Sequence, residues 1–444
     1  MKCGCCNQDP CCCGATEPAQ ADSAEGVQFG PATNEGYDRA LALLRRVSTP
    51  DGFFASAVET TNYRRVWGRD GVITGLAALL SEDTHLIDTY KQTLLTLASH
   101  QGPQGEIPSN VDKVSGRVSY GGTTGRVDAD LWFVIGCAEY WLANQDEKFL
   151  EELLPVLDKV EFLLRAWEFN NRGLLFVPPA GDWADEYIQS GYVLYDQLLY
   201  LQAQRSLAAL HQANGDSEKT ANHEQRARQL KSLVQANYWF QGVDEWPEAI
   251  YHEVLYRKGY ETPHCRCRYW VPFFSPHGYG YRFDAFANVL VSLLDVADDS
   301  RRERVDRFIS ELVAGRPKLL PAFHPAIEPV DEDWERLQVT YSYTFRNQPY
   351  EHHNGGLWPM VTGFHVADLA ARRKQEEAEK FLAGIHWANS LPQDDEPWSF
   401  PEYVHGLNFT PGGTRQQAWS AAAAVIAHQA INGKPLFQVK GSDQ

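Results

Sequence analysis

What this 444-residue chain lacks narrows its interpretation before any motif does. No apolar run approaches the length needed to span a bilayer, so no membrane-spanning helix is expected in this sequence. The opening Met1-Lys2-Cys3-Gly4-Cys5-Cys6 has no apolar core of a secretory signal, so a cytoplasmic location is expected. Basic residues are in deficit: 40 Lys and Arg against 58 Asp and Glu leave a formal net charge of −18. That balance argues against nucleic acid or a membrane surface as partner and favours a neutral or cationic ligand. Cysteine is scarce in the body of the chain. Six of the nine (Cys3, Cys5, Cys6, Cys11, Cys12, Cys13) crowd the start, and only Cys137, Cys265 and Cys267 lie beyond it. This is not a disulfide framework. The cluster could hold a soft metal through thiolates or form a reduced, flexible tail, and no His or second Cys group completes a zinc spacing. A phosphate-cradling Gly loop, a serine nucleophile elbow and a fixed-period repeat are all missing.

What is present is aromatic and helical. Thirteen Trp, 20 Tyr and 21 Phe can stack on sugar rings or fill a large core. Residues 1–33, rich in Cys, Gly, Pro and Ala, read as a disordered leader, and residues 34–444 as the catalytic body. Apolar residues at helical spacing mark Tyr37–Val47, Val72–Leu80, Leu86–Leu97, Leu131–Leu142, Phe149–Trp167 and Val193–His211. They mark six more: Ser217–Phe240, Phe283–Val296, Arg304–Val313, Leu357–Ala371, Gln375–Leu391 and Gln416–Ile431. A short extended piece, Leu174–Val177, is the main strand candidate. About twelve helices in antiparallel pairs, with alternately short and long connections, fit an all-α (α/α)6 barrel of six helical hairpins. One closed core would use every helix, and the long loops would gather at one rim. A two-domain helical protein or an open solenoid is the other arrangement such a pattern allows.

The long loops carry the unusual residues. One brings Trp67-Gly68-Arg69-Asp70; another ends in Gly125-Arg126-Val127-Asp128-Ala129-Asp130-Leu131-Trp132. Others contain Gly181-Asp182-Trp183-Ala184-Asp185-Glu186, His352-His353-Asn354-Gly355-Gly356-Leu357-Trp358-Pro359, Pro401-Glu402-Tyr403 and Gln417. Flat apolar faces with forked polar groups suit a sugar. Cleaving a glycosidic bond requires two carboxyl groups, one on each side of it. Asp128, among aromatics, and Glu402, between Pro401 and Tyr403, are the candidates. Plainer roles compete: Asp128 as a helix N-cap, Glu402 as a loop glutamate, Arg69-Asp70 as an ion pair at a helix start, and Asp182 and Asp185 as caps. Adjacent His352 and His353 point apart with no spaced third ligand, so no metal is expected.

Read together, these motifs resemble the neutral/alkaline invertases, glycoside hydrolase family 100. The resemblance lies in Asn62-Tyr63 with Arg69-Asp70, and in Gly125-Arg126-Val127-Asp128 with Leu131-Trp132. It continues in Phe274-Ser275-Pro276 with Arg282-Phe283 and Asn288, and in His353-Asn354-Gly355-Gly356 with Trp358-Pro359. Pro401-Glu402-Tyr403, and Arg415 with Gln417 and Trp419, complete it. It implies an (α/α)6 barrel that hydrolyses sucrose with inversion, the general acid falling on Asp128 and the general base on Glu402. The segment Gly181–Glu186 and Trp67-Gly68 depart from invertases toward debranching-type and α-glucosidase relatives.

The expectation is therefore an inverting, cofactor-free glycoside hydrolase acting on a small neutral sugar, sucrose first, with self-association possible. Arg69, Asp70, Trp67, Asp182, Trp183, His353, Asn354, Trp358 and Gln417 would line its subsites. The alternative is an α-glucosidase or amylo-1,6-glucosidase acting on another small glucoside. Further off stand a sugar 2-epimerase recruiting His277, His352 and His353, and a non-catalytic sugar-binding barrel.

Overall fold

The computed structural model describes residues 34–58, 60, 62–240, 247–266, 268–340 and 344–439. The cysteine-rich leader and Cys267 lie outside them. Fourteen α-helices appear among the described residues: α1 (Asn34–Val47), α2 (Gly68–Ser81), α3 (Thr84–Ser99), α4 (Val127–Asn144), α5 (Glu147–Ala166), α6 (Leu194–Ala213) and α7 (Ser217–Asn237). They continue as α8 (Glu253–Glu261), α9 (Ala285–Leu293), α10 (Asp299–Leu312), α11 (Trp334–Gln338), α12 (Pro359–Ala371), α13 (Gln375–Ser390) and α14 (Ala418–Ile431). Twelve of these answer to the twelve helical runs in the sequence; α8 and α11 are short additions within the long loops.

The inner helices close a ring. α2 packs on α4, α4 on α6, α6 on α9, α9 on α12, α12 on α14, and α14 returns to α2. Helix α4 shows why they sit inside: from Val127 to Tyr140 every residue is buried, the pattern of a helix with no solvent face. At one close approach Gly363 of α12 faces α14, where an added Cβ would stand 2.8 Å from the Ala423 Cα. The outer helices α1, α3, α5, α7, α10 and α13 cover the ring. α5 has only one apolar stripe, Phe149, Leu150, Leu153, Leu157, Val160, Leu163 and Leu164.

The two ends of the barrel differ in how helices begin. At the end with short connections, α3, α5, α7 and α10 are capped by Asp83, Asp146, Asp216 and Asp298, each accepting a backbone N–H two or three residues into the helix. At the other end α9 is capped by Asp284, but α2, α4, α6, α12 and α14 start without a side-chain cap. Helix α12 begins on Pro359, which has no N–H, and the first amides of the other four are met by carbonyls of neighbouring long loops: Gly68 donates to Ser109, Val127 to Gly181, Leu194 to Pro272 and Ala418 to Ala55. Those loops cross-link through two- and three-residue strands, such as Tyr403–Val404 against Pro411–Gly412. Leu174–Val177 contributes only a bridge from Val177 to Gly191. The positive ends of the inner helix dipoles thus converge on one rim, where Asp70, Asp128, Asp130 and Asp196 occupy first turns.

Candidate active site

Asp128 lies inside the first turn of α4, and Arg126, not Asp128, flanks the helix start. It therefore does not act as an N-cap. Its Oδ2 accepts from the Arg69 guanidinium at 2.9 Å and from the Tyr195 hydroxyl at 3.2 Å. Its Oδ1 is buried without a protein partner. Glu402 is buried as well, at 3% exposure, so it is no solvent-facing loop glutamate. Tyr63 donates to its Oε1 at 2.8 Å and the Thr414 amide to its Oε2 at 3.0 Å. Burial pushes its carboxyl up, while the Arg346 guanidinium and these donors pull it back. Helix α2 sits between the two acids in the ring, and its Asp70 feels the charge of both Glu402 and Asp128. Burial lifts Asp70 to about 6 against the opposing pull of Arg69.

A closed circuit of contacts floors the site. Arg69 lies over Trp419 at 5.7 Å. Trp419 meets Trp358 edge-on at 5.5 Å, and Trp358 stacks on His353 at 5.3 Å with planes 10° apart. His353 meets Trp183 at 5.1 Å, and Trp183 reaches Tyr195 at 6.4 Å, which returns to Asp128. Buried polar atoms without a hydrogen-bond partner gather here: Arg69 Nε, whose nearest acid is Asp70 at 3.8 Å, Trp183 Nε1, His353 Nδ1, Trp419 Nε1 and both amide atoms of Gln417. Buried polar groups normally find partners, so such a concentration marks a place built for a polar ligand. Burial, with Arg346, Arg69 and Arg126 nearby, drives His353 well below its ordinary range and leaves it a neutral, flat surface.

The remaining candidates divide. Asp182 is buried, and burial together with Asp128 and Asp284 raises it to about 8. It caps no helix: its Oδ1 accepts from the Ala184 amide and its Oδ2 from Gln189. Asp185 also caps nothing and pairs with Arg126 at 2.6 Å. Two residues are spent on the loops themselves. The Asn354 amide donates to the Ile327 and Asn347 carbonyls and accepts from the Ile327 N–H. The Trp67 indole donates to the Asn62 carbonyl. His277 is exposed in the turn between Phe273–Ser275 and Gly278–Tyr279. Among the described residues no cluster of ligand side chains suits a metal ion, and no helix is long and apolar enough to cross a membrane.

Residues 48–245 and 249–434 match the family described as alkaline and neutral invertase. The chain belongs to the alkaline and neutral invertase family. It is similar to neutral/alkaline invertase 3, chloroplastic, of Oryza sativa subsp. japonica, at 22% identity across 97% of this chain and 77% of that one. Among solved structures it resembles a bacterial glucoamylase complexed with acarbose (TM-score 0.63, 16% identity, 91% of this chain, 56% of that one). A GH63 mannosylglycerate hydrolase from Thermus thermophilus matches with TM-score 0.61 and 14% identity, over 88% of this chain and 99% of that one. These likenesses establish the (α/α)6 barrel, and the family makes this chain a glycoside hydrolase.

In this invertase-family barrel, three residues that sequence reasoning gave no role reach the acids. Tyr63 holds Glu402 and Tyr195 holds Asp128. Arg346, ion-paired to Glu186 at 3.0 Å, places its charge beside Glu402. Tyr63 belongs to the Asn62-Tyr63 motif, but Tyr195 and Arg346 look in sequence like an ordinary helix residue and an ordinary loop residue.

Proposed function

We propose that this protein hydrolyses sucrose to glucose and fructose with inversion at the glucosyl carbon. Asp128, protonated on Oδ1, gives its proton to the bridging oxygen as the glucosyl C–O bond breaks and the bonding pair leaves with fructose. Glu402, ionised, takes a proton from the water that attacks the opposite face of that carbon. The observation that carries this reading is the unequal dressing of the two acids. Asp128 has one oxygen bound by Arg69 and Tyr195 and the other unspent, whereas both oxygens of Glu402 are held by donors. The first suits a proton donor and the second a fixed base. Arg69, Asp70, Asp182 and Gln417 supply polar contacts to the sugar, and Trp183, His353 and Trp358 supply its walls. Asn354 and Trp67 hold the loops that carry them.

Proton NMR during turnover of sucrose tests the reading. The first glucose released should be the β-anomer, and Asp128→Asn and Glu402→Gln should each abolish its release in a folded protein. Release of α-glucose first, or substantial activity in either variant, would reject it. A second reading, an α-glucosidase acting on another small glucoside, is favoured by the Asp182-Trp183 segment, whose acid and indole both lie at the site. Turnover of maltose, isomaltose or trehalose in preference to sucrose would select it.

A further inference from the structure

Proton donation by Asp128 needs more than a carboxyl in the right place. It needs the proton on the correct oxygen, and it needs the resulting carboxylate to be stabilised as the proton leaves. Three buried side chains from different helices decide both. The Trp132 indole on α4 donates to the Tyr195 hydroxyl oxygen at 2.8 Å. An indole N–H can only donate, so the Tyr195 oxygen must accept, and its own hydrogen is left for Asp128 Oδ2 at 3.2 Å. Arg69 donates to that same oxygen at 2.9 Å. With two donors on Oδ2, the carboxyl proton is confined to Oδ1, the atom with no protein partner.

We infer that Tyr195, its hydroxyl aimed by Trp132, is a positioning residue that directs the Asp128 proton to Oδ1 and stabilises the carboxylate left after transfer. This rests on Asp128 being the general acid. No proton passes along the chain: Tyr195 keeps its hydrogen throughout, and its bond to Oδ2 strengthens as the carboxylate charge appears. Burial and the neighbouring Asp128 charge hold the Tyr195 hydroxyl well above its ordinary range, so it remains a donor. The charged and titratable groups around Asp128 are Arg69 and Asp70 from α2, Asp130 on α4 itself, Tyr195 and Asp196 from α6, and Asp182 from the adjoining loop. Arg69 alone among these is a cation. Tyr195 alone is a neutral donor to the carboxylate, so nothing else replaces it when its hydroxyl is removed.

The test compares the wild type, Asp128→Asn, Tyr195→Phe and Trp132→Phe on sucrose and on α-D-glucosyl fluoride, whose fluoride leaves with little protonic help. Tyr195→Phe keeps the ring in its packing and removes one oxygen. On sucrose its kcat should fall roughly ten- to a hundredfold, the effect of losing one hydrogen bond to a charged group. The alkaline limb of kcat/KM should move up by about one pH unit or less, because the deprotonated acid has lost a donor. On the fluoride the loss should be about threefold or less, since general acid catalysis contributes little there. Trp132→Phe, if folded by its thermal midpoint, should shift both readouts in the same sense and by less. If Asp128→Asn is inactive on sucrose but Tyr195→Phe loses equally on both substrates with its alkaline limb unmoved, Tyr195 is packing and the inference is wrong. If the wild type prefers maltose, isomaltose or trehalose to sucrose, the same four-way comparison is read on that glucoside; if Asp128→Asn remains active there or on sucrose, the general-acid reading fails and the inference falls with it.

Discussion

Gly413 offers a way to displace Glu402 without touching it. It sits at φ +72, just after the strand pair that follows Glu402, and a Cβ there would lie 2.6 Å from the Glu402 Cβ and closer still to its carboxylate. Glu402 has little freedom to give way. Its two oxygens are bound at 2.8 and 3.0 Å, its own amide donates to the Thr414 carbonyl, and Tyr403 is paired in register with Gly412. Ordinary carbon contact begins near 3.5 Å, so Gly413→Ala forces the carboxylate to move by about 1 Å. Two costs follow. Holding alanine in the left-handed region costs about 1–2 kcal/mol of stability. A displacement of about 1 Å at a reacting group costs on the order of a hundredfold in rate. The control is Gly116→Ala, at φ +71 with nothing within 4 Å of the added methyl. It carries the same backbone penalty and no collision. Denaturant titration should show Gly116→Ala destabilised by the backbone cost alone and Gly413→Ala by about 1–3 kcal/mol more, while kcat on sucrose falls about a hundredfold in Gly413→Ala alone. Wild-type kcat in Gly413→Ala would refute the assignment of Glu402 as the base in this position.

Three other outcomes follow from the same geometry. Tyr63→Phe removes the donor to Glu402 Oε1, so a carboxyl already raised by burial rises further and the acidic limb of kcat/KM moves up by about one pH unit or less; an unmoved limb would exclude Tyr63 from the base. Glu139 on α4 accepts the Gln438 and Val439 amides at 2.8 and 3.2 Å and is raised by burial to about 7. Its raised value favours folding below the ordinary glutamate range, and that contribution is lost as pH rises from about 4.5 to about 7, costing up to about 3 kcal/mol by pH 8. Glu139→Gln should therefore flatten the stability–pH curve from pH 5 to 8, and parallel curves for the two proteins would contradict this. Gly363→Ala drives a methyl against the α14 backbone and should cost about 1–3 kcal/mol of stability while leaving KM unchanged; a neutral effect in denaturant titration would mean that α12 and α14 are not so closely packed.

Much of the architecture was legible because an apolar period of 3.6 is a local property. The twelve ring and cover helices, and the alternation of short and long connections that brings the segments of Asp128 and Glu402 to one rim, follow from it. The rim strands were not legible. Strands of two or three residues carry no alternation, and they exist because another loop supplies the partner. Helix α8 has only nine residues, too few to show a period beside three prolines. The start of α4 was misplaced for a related reason: Leu131 begins the apolar run, but the helix begins at Val127 because the Gly181 carbonyl meets its first amide.

The same division holds in the site. Sequence by itself determined which residue types gather there: acids, arginines, aromatics and a glutamine, at the heads of helices that must bury every face. Tertiary structure decided what each polar atom is used for. Asn354 stands in a motif rich in sugar-like chemistry, yet its amide is consumed by Ile327 and Asn347, whereas Gln417 keeps both amide atoms unspent. Tyr195 sits in a helix with no outward sign of function, and ring closure sets its hydroxyl between Trp132 and Asp128. A side chain's chemistry is written in its own residue, but a hydrogen bond belongs to two residues. When the second lies in another element of the fold, only the folded chain says whether the first is free to meet a ligand.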